Sequence, residues 1–326
     1  MDNTDPAQSD LRSFSVHNVI NDIFQGHQLK KENELLLRHF FGKPQKLALE
    51  QGLAIYFTDQ WQKKGYKHWA AKLYHSGNLP GQVELLDNER FRNESELVMG
   101  AAAATLVEAL IEHWGKDAFL QQYQTWNPSF KEMAQMEKVW HQLLEKIEIP
   151  DHQPKHAALP FLKGFNFAHE GYRIYNGYGS DLARQSLVKL ANLGTNAIAI
   201  VPYSYMRDPE KPSPIPVIQH AGSETDESVI FAHAEAQKLG MYTMLKPQIW
   251  LGRSWPGEIA MSNENDWNSF FDYYYRWIRH YALLAEIYEM DALSLGVEFA
   301  KATIQRPEDW RRMVKKIRGL YSGHLT

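Results

Sequence analysis

Asp291-Ala-Leu-Ser-Leu-Gly-Val-Glu-Phe299 is an apolar segment that carries one carboxylate, Glu298, near its C-terminal end. Three earlier segments have the same character of a buried strand, and helical patterns separate all four. Buried strands that alternate with helices form a parallel sheet with right-handed crossovers, so the pattern predicts consecutive βα units. Such folds place their chemistry at the C-terminal ends of the strands, which makes Glu298 a candidate catalytic residue. The predicted strands are residues 159–167, 195–203, 241–250 and 292–299.

Glycine marks the ends of the helices between these strands. Gly194 and Gly240 directly follow the first two helical patterns, and glycine commonly ends a helix because it adopts a left-handed conformation at little cost. The chain reaches Thr326 near the point where a fifth strand is expected. The sequence therefore predicts an α/β domain over residues 159–326, a partial TIM barrel with four parallel strands. Its predicted helices are residues 181–193, 223–239, 267–288 and 307–321.

The N-terminal half has a different periodicity. Its apolar residues recur at helical spacing through residue 148, which predicts an all-α domain over residues 1–148. The Ala101–Ala104 run suits close packing between helices. Residues 149–158 contain two prolines and no periodic pattern, so they are the predicted linker. The predicted helices are residues 15–24, 29–41, 47–61, 94–114 and 130–148.

Composition narrows the possible functions. The chain has 326 residues and a formal net charge of −4, which argues against binding nucleic acid or anionic lipid. It has no cysteine, so disulfides and thiolate metal sites are excluded. We find no signal peptide and no run near the ~18 apolar residues of a membrane span. We expect a soluble protein whose compartment is undetermined. Aromatic residues make up 13% of the chain, which fits either an aromatic core or a sugar-binding cleft.

Motifs in residues 160–326 carry a resemblance to a known family. They include Gly164-Phe-Asn-Phe167, Gly194-Thr-Asn-Ala-Ile-Ala-Ile-Val-Pro-Tyr203, Leu245-Lys-Pro-Gln-Ile-Trp250 and Gly296-Val-Glu-Phe299. In their order and spacing they resemble glycoside hydrolase family 113, a group of β-mannanase-like TIM barrels that retain anomeric configuration. The resemblance implies hydrolysis of β-mannan or a related β-linked polysaccharide, with no cofactor.

Glu298 matches the family's general acid/base at the end of the fourth strand. The alternative is a structural role, in which Glu298 caps the next helix or pairs with Lys301 or Arg306. Val297 departs from the wider clan, where asparagine often precedes the acid/base. Retaining enzymes need a second carboxyl about 5–5.5 Å away as the nucleophile. The resemblance places that residue on a later strand, so we expect this chain to be truncated or to self-associate through open sheet edges.

Polar and aromatic residues at the ends of the predicted strands are candidates for sugar binding. Lys246 and Gln248 carry groups that hydrogen-bond to sugar hydroxyls. Trp250 either stacks on a sugar ring or closes the barrel mouth, and Trp255 lies in the following loop as a possible platform. The aromatic run 270–277 is better explained by helix packing. Weaker candidates from the first two strands are Asn166 and Tyr203.

The N-terminal half resembles a degenerate metallopeptidase. His17-Asn-Val-Ile-Asn21 and Leu49-Glu-Gln-Gly-Leu-Ala-Ile-Tyr56 are similar to the zinc-binding segments of gluzincins, the peptidase MA-like class. By this resemblance Asn21 and Gln51 replace metal ligands and Asn18 replaces the general base, which leaves His17 as a relic. Amides bind Zn²⁺ poorly, so we expect no metal and no proteolysis. His17 is equally explained as an ordinary helix residue.

Three functions remain open. The first is a retaining glycoside hydrolase with Glu298 as acid/base. The second is a carbohydrate-binding pseudoenzyme or scaffold, which we favour if the chain truly ends at Thr326. The third and weakest is a zinc metallopeptidase. The sugar, the linkage and the oligomeric state do not follow from the sequence, because selectivity lies in loops and in the missing strands.

Overall fold

A computed structural model describes residues 29–58, 61–150, 152–153, 158–169, 177–219 and 224–326, and the backbone of 8–10 and 15–17. The chain divides into two compact units, with the division between residues 151 and 152. The first unit is mainly helical, and the second contains the parallel sheet.

The N-terminal unit begins with a small antiparallel sheet. Strand β1 (Gln8–Asp10) pairs with β2 (Ser15–His17), with Gln8 opposite His17. The prediction of a helix over 15–24 was therefore wrong at its start, and the unit is not all-α. A short apolar pattern fits both a helix and a strand, and here pairing with the preceding segment decides between them. The rest of that prediction, including Asn18 and Asn21, lies outside the described residues.

Helices form the remainder of this unit. Side chains cap several of them, as when Ser95 Oγ accepts a hydrogen bond from the Val98 amide at 3.3 Å. Ser129 and Glu132 form a capping box at the start of the last helix. The helices are α1 (Leu29–Phe41), α2 (Leu47–Tyr56), α3 (Tyr66–His75), α4 (Gln82–Leu86), α5 (Asn88–Asn93), α6 (Glu96–Trp114), α7 (Lys116–Gln122) and α8 (Phe130–Glu145).

Helix α6 is the centre of this unit. Every residue from Leu97 to Leu110 is buried, and α2 packs closely along it. Among the described helices, α6 is the one whose length and composition alone would allow it to cross a bilayer. Most of it is buried inside the unit, as in the core helix of a folded domain.

The close approach of α2 to α6 depends on Gly52. A Cβ atom added at this position would lie 2.4 Å from the carbonyl oxygen of Ala103 and 2.9 Å from Val107 Cγ2. Because the obstacle is backbone, the helices must separate to admit a methyl group. The small residues of the Ala101–Ala104 run allow this contact, as their sequence indicates.

We expect Gly52→Ala to lower the free energy of unfolding by about 1–3 kcal/mol, the usual cost of overpacking a core. Urea titration followed by far-UV circular dichroism measures the change. Gly100→Ala is the matched control on α6, because its methyl group would meet the flexible end of Ile55 at 2.7 Å. Equal destabilisation by both variants would contradict the proposed backbone clash.

The second unit is a parallel βα structure. Its main sheet has the order β3-β4-β6-β8-β9, and β5 and β7 form a separate parallel pair. The prediction of four strands was wrong by one, since β9 adds a fifth. Its elements are β3 (Gly164–Phe167), α9 (Asp181–Asn192), β4 (Ala197–Ile200), β5 (Tyr203–Tyr205), α10 (Asp226–Lys238), β6 (Tyr242–Leu245), β7 (Gln248–Trp250), α11 (Glu264–Ile287), β8 (Ala292–Leu293), α12 (Ala300–Gln305), α13 (Pro307–Leu320) and β9 (His324–Leu325).

Proline explains why two predicted strands are each divided. Pro202 separates β4 from β5, and Pro247 separates β6 from β7. Proline has no amide hydrogen to donate to the sheet, so the regular pairing is interrupted at both positions. The predicted fourth strand is also shorter than expected. Only Ala292–Leu293 pairs in the sheet, and the chain then turns through residues 294–299.

The two faces of the main sheet differ. The helix-covered face is mainly apolar and includes Ile198 and Leu245, which are buried. The register aligns Asn166 with Ala199 and Met244 on the other face. Because side chains alternate along a strand, Lys246 follows on that same face. This second face therefore carries polar groups toward the C-terminal ends of the strands.

Candidate active site

Two predicted sugar-binding residues meet at the C-terminal edge of the main sheet. Lys246 Nζ donates a hydrogen bond to Asn166 Oδ1 at 3.2 Å. Asn166 is exposed and Lys246 is half-buried. The pair thus offers an ammonium group and an amide at the edge where barrel enzymes bind substrate.

Tyr178 holds the ends of β3 and β4 together. Its hydroxyl group donates to the carbonyl oxygen of Phe167 at 2.7 Å and accepts from the amide of Val201 at 3.0 Å. Burial raises the pKa of Tyr178 above its ordinary value, so the hydroxyl group stays protonated and can donate. The sequence does not predict this role of Tyr178, because it depends on the tertiary contact of two strand ends.

Glu298 lies five residues beyond the end of β8, in the turn that leads to α12. Its backbone has φ +67°, a left-handed conformation that residues other than glycine rarely adopt. The amide of Ala300 donates to the carbonyl oxygen of Glu298 at 2.8 Å and closes the turn. Strained backbone of this kind occurs often at functional sites.

The structural alternatives for Glu298 find no support in its contacts. Its Oε2 atom accepts a hydrogen bond from Trp255 Nε1 at 2.6 Å. Helix α12 has no side-chain cap at its N-terminus. Arg306 pairs with Glu264 at 2.6 Å and with Asp309. Within the described residues, Glu298 forms no ion pair with Lys301 or Arg306.

The turn that presents Glu298 is fixed by several backbone hydrogen bonds. The Leu295 amide donates to the carbonyl oxygen of Thr326 at 2.8 Å, which ties the turn to the end of β9. Tyr274 Oη donates to the carbonyl oxygen of Leu295 at 2.9 Å. Burial raises the pKa of Tyr274 and keeps it a donor. Tyr274 and its neighbour Trp277 on α11 are buried, in agreement with the packing role predicted for residues 270–277.

A cleft of ≈ 710 Å³ opens beside Glu298. Its lining is largely apolar and comes from α12, α13, the end of β9 and the Trp255 loop. Among the described residues that line it, Glu298 is the one carboxylate. Its lining includes Trp255, Leu295, Glu298, Phe299, Trp310 and Thr326.

The remaining predicted residues lie on the small second sheet. Tyr203 pairs in register with Gln248, and its ring lies edge-on to that of Trp250 with centroids 6.4 Å apart. Trp250 is 54% exposed, so much of its ring surface is open. The predicted residues thus form three local groups, namely Glu298 with Trp255, Lys246 with Asn166, and Tyr203 with Gln248 and Trp250.

Of the three proposed relic zinc positions, Gln51 is the one whose side chain is described. His17 is the last residue of β2, Asn21 lies outside the described residues, and Gln51 is in α2. No group of three or more His, Cys, Asp or Glu residues suited to a metal ion occurs in the described ranges. The neighbouring Glu50 is fully buried and pairs with Arg38 on α1.

An open parallel βα sheet with helices on its covered face defines the C-terminal unit as a TIM-barrel-like α/β fold. Residues 166–326 match the sequence profile of Glycoside Hydrolase Family 113. The resemblance to this family inferred from the sequence is therefore confirmed. The gluzincin resemblance of the N-terminal unit stays a prediction.

Solved structures similar to this chain include a complex of GH113 β-1,4-mannanase, with 21% identity and a TM-score of 0.46. Another is GH113 β-mannanase AaManA from Alicyclobacillus acidocaldarius in complex with ManMIm, with 25% identity and a TM-score of 0.46. Each alignment covers 51% of this chain, and 55% and 54% of the two structures respectively. The chain thus spans about half the length of these structures. No curated protein sequence matches it.

Proposed function

We propose that the C-terminal unit supplies the acid/base part of a retaining glycoside hydrolase acting on β-mannan or a related β-linked polysaccharide. The observation that carries the proposal is the position of Glu298 at the C-terminal side of the sheet, beside a large cleft. The match of residues 166–326 to Glycoside Hydrolase Family 113 supports the reaction class.

The chemistry assigns Glu298 two roles in turn. As an acid, it protonates the glycosidic oxygen while a second carboxylate attacks the anomeric carbon and forms a glycosyl-enzyme. As a base, it then removes a proton from the water that hydrolyses this intermediate. The second carboxylate is not among the described residues that line the cleft. It must come from residues outside that set.

Sugar hydroxyls would be bound by polar groups at the C-terminal ends of the other strands. The Lys246 ammonium group is a strong donor, and Asn166 and Gln248 can both donate and accept. The exposed ring of Trp250 would pack against the C–H face of a pyranose. The same groups serve a second candidate function, a carbohydrate-binding protein without turnover. Among the described residues that line the cleft, Glu298 is the one carboxylate, and this observation is also compatible with the second function.

Calorimetric titration with manno-oligosaccharides, together with a sugar-release assay, tests both functions. We expect Lys246→Ala to weaken binding about 10-fold or more, because a hydrogen bond to a charged group contributes about 1.5–3 kcal/mol. Lys238→Ala is the matched control, since Lys238 lies at the end of α10 and pairs with Glu235 at 2.5 Å. Binding without sugar release would favour the non-catalytic function. Absence of both would contradict the two proposals.

A further inference from the structure

Trp255 contacts Glu298 through the edge of its indole ring. Its Nε1–H group donates to Oε2 of Glu298 at 2.6 Å, and half of the Trp255 surface is exposed. A hydrogen bond to an ionised carboxylate is shorter and stronger than one between neutral groups. The sequence suggested a stacking platform for sugars, whereas this contact fixes the ring by its polar edge.

Gly257 makes this orientation of the indole ring possible. A Cβ atom at residue 257 would lie 2.4 Å from both Cη2 and Cζ3 of Trp255. The six-membered part of the ring therefore lies directly against the backbone of the 3-10 turn Pro256–Glu258. The turn is itself held, because the Glu258 amide donates to the Trp255 carbonyl oxygen at 2.9 Å and Ser254 Oγ donates to Glu258 Oε2 at 2.6 Å.

Glu298 is thus constrained at both ends. The left-handed turn sets the direction in which its side chain leaves the backbone. The indole N–H then fixes Oε2, so the contacts of the described residues leave Oε1 as the oxygen available to a ligand. Positioning of a catalytic group within about 1 Å can change a rate by about 10²-fold.

We propose that Trp255 is a positioning residue for the Glu298 carboxylate, and that Gly257 is the residue that permits it. This inference rests on the proposed role of Glu298. A positioning role of Trp255 and a sugar-stacking role predict different effects of its substitution on the kinetics. A positioning residue affects the chemical step and leaves substrate affinity nearly unchanged, whereas a stacking platform affects affinity.

The contact can be tested without any sugar by ¹⁵N–¹H correlation spectra of the tryptophan side chains of the whole chain. The Trp255 indole signal is identified by its absence in Trp255→Phe. We expect this signal to lose its low-field hydrogen-bonded shift in Glu298→Ala, which removes the acceptor, and in Gly257→Ala. Gly252→Ala is the control in the same loop, because a Cβ atom there meets nothing within 4 Å. The other indole signals report whether each variant keeps its fold.

The functional consequence is tested by steady-state kinetics on manno-oligosaccharides. We expect Trp255→Phe to lower kcat about 10- to 100-fold and to change KM by less than about 3-fold. A raised KM with kcat retained would overturn the inference in favour of stacking. A Trp255 indole signal that is unchanged in Glu298→Ala would also overturn it. If the wild-type chain releases no sugar, the proposed hydrolase function fails, and the indole signal still decides whether Trp255 holds Glu298.

Discussion

Replacing Glu298 with glutamine is expected to lower the hydrolysis of β-1,4-manno-oligosaccharides by about 10²- to 10⁴-fold, the usual contribution of general acid–base catalysis. Glutamine keeps the shape of the side chain and can still accept the hydrogen bond from Trp255. It cannot protonate the leaving oxygen or deprotonate water. The loss should therefore fall on kcat, with binding of the oligosaccharide largely retained. Reducing-sugar release and calorimetric titration measure the two quantities separately.

A second variant separates the acid/base role from that of a nucleophile. In Glu298→Ala, azide is expected to restore turnover of a substrate with a good leaving group, because azide attacks the glycosyl-enzyme without needing a base. Glu308→Gln is the control, since Glu308 is exposed and pairs with Arg311 on the surface of α13. Full activity in Glu298→Gln, or a loss equal to that of the control, would rule out Glu298 as the acid/base.

The alternation of strands and helices could be predicted because buried parallel strands have a distinctive apolar pattern. The same pattern placed Glu298 at the end of a fourth strand over residues 292–299, whereas β8 ends at Leu293 and Glu298 lies in the turn that follows. The conformation of that turn did not follow from the pattern. A left-handed glutamate and its contact with Trp255, 43 residues earlier in the chain, depend on tertiary packing. Gly257 is the local feature of the sequence that relates to this contact, because the Trp255 ring lies where a side chain at residue 257 would be.

The predicted boundaries of two strands, residues 195–203 and 241–250, were wrong because each contains a proline. The sequence showed Pro202 and Pro247, but the continuous apolar runs around them favoured unbroken strands. In the structure Pro202 and Pro247 lie between the paired segments, so Tyr203, Gln248 and Trp250 are on a second pair of strands that keeps the register of β4 and β6. The apolar pattern thus predicted the core, while the prolines mark where the regular pairing is interrupted.

In the N-terminal unit, the sequence indicated a lost metal site around Gln51 and could not assign a role to Glu50. The structure gives Glu50 a role in packing. It is fully buried, and Arg38 on α1 donates to its carboxylate from Nε. The hydrogen bond with Glu50 raises the pKa of Arg38 above its ordinary value. The pair joins α1 to α2, and its polar character does not require a metal ion.

Arg38→Met is accordingly expected to destabilise the helical unit by about 3 kcal/mol, because it leaves a buried carboxylate without its cation. The estimate is at the low end for broken buried pairs, since a third of the Arg38 side chain is exposed. Native-state hydrogen exchange of the α6 amides measures the effect within this unit. Protection should fall about 10²-fold, because each factor of ten corresponds to about 1.4 kcal/mol.

The double variant Arg38→Met, Glu50→Met is the matched control. It removes both charges, so it should recover much of the lost protection, since replacing a buried pair by apolar groups is often close to neutral. If Arg38→Met lowers the free energy of unfolding by less than about 1 kcal/mol, the pair contributes no more than a surface ion pair, and the proposed buried role is wrong. Protection that depends on added Zn²⁺ would contradict a purely structural role for Glu50, because the carboxylate would then serve a metal ion rather than the arginine.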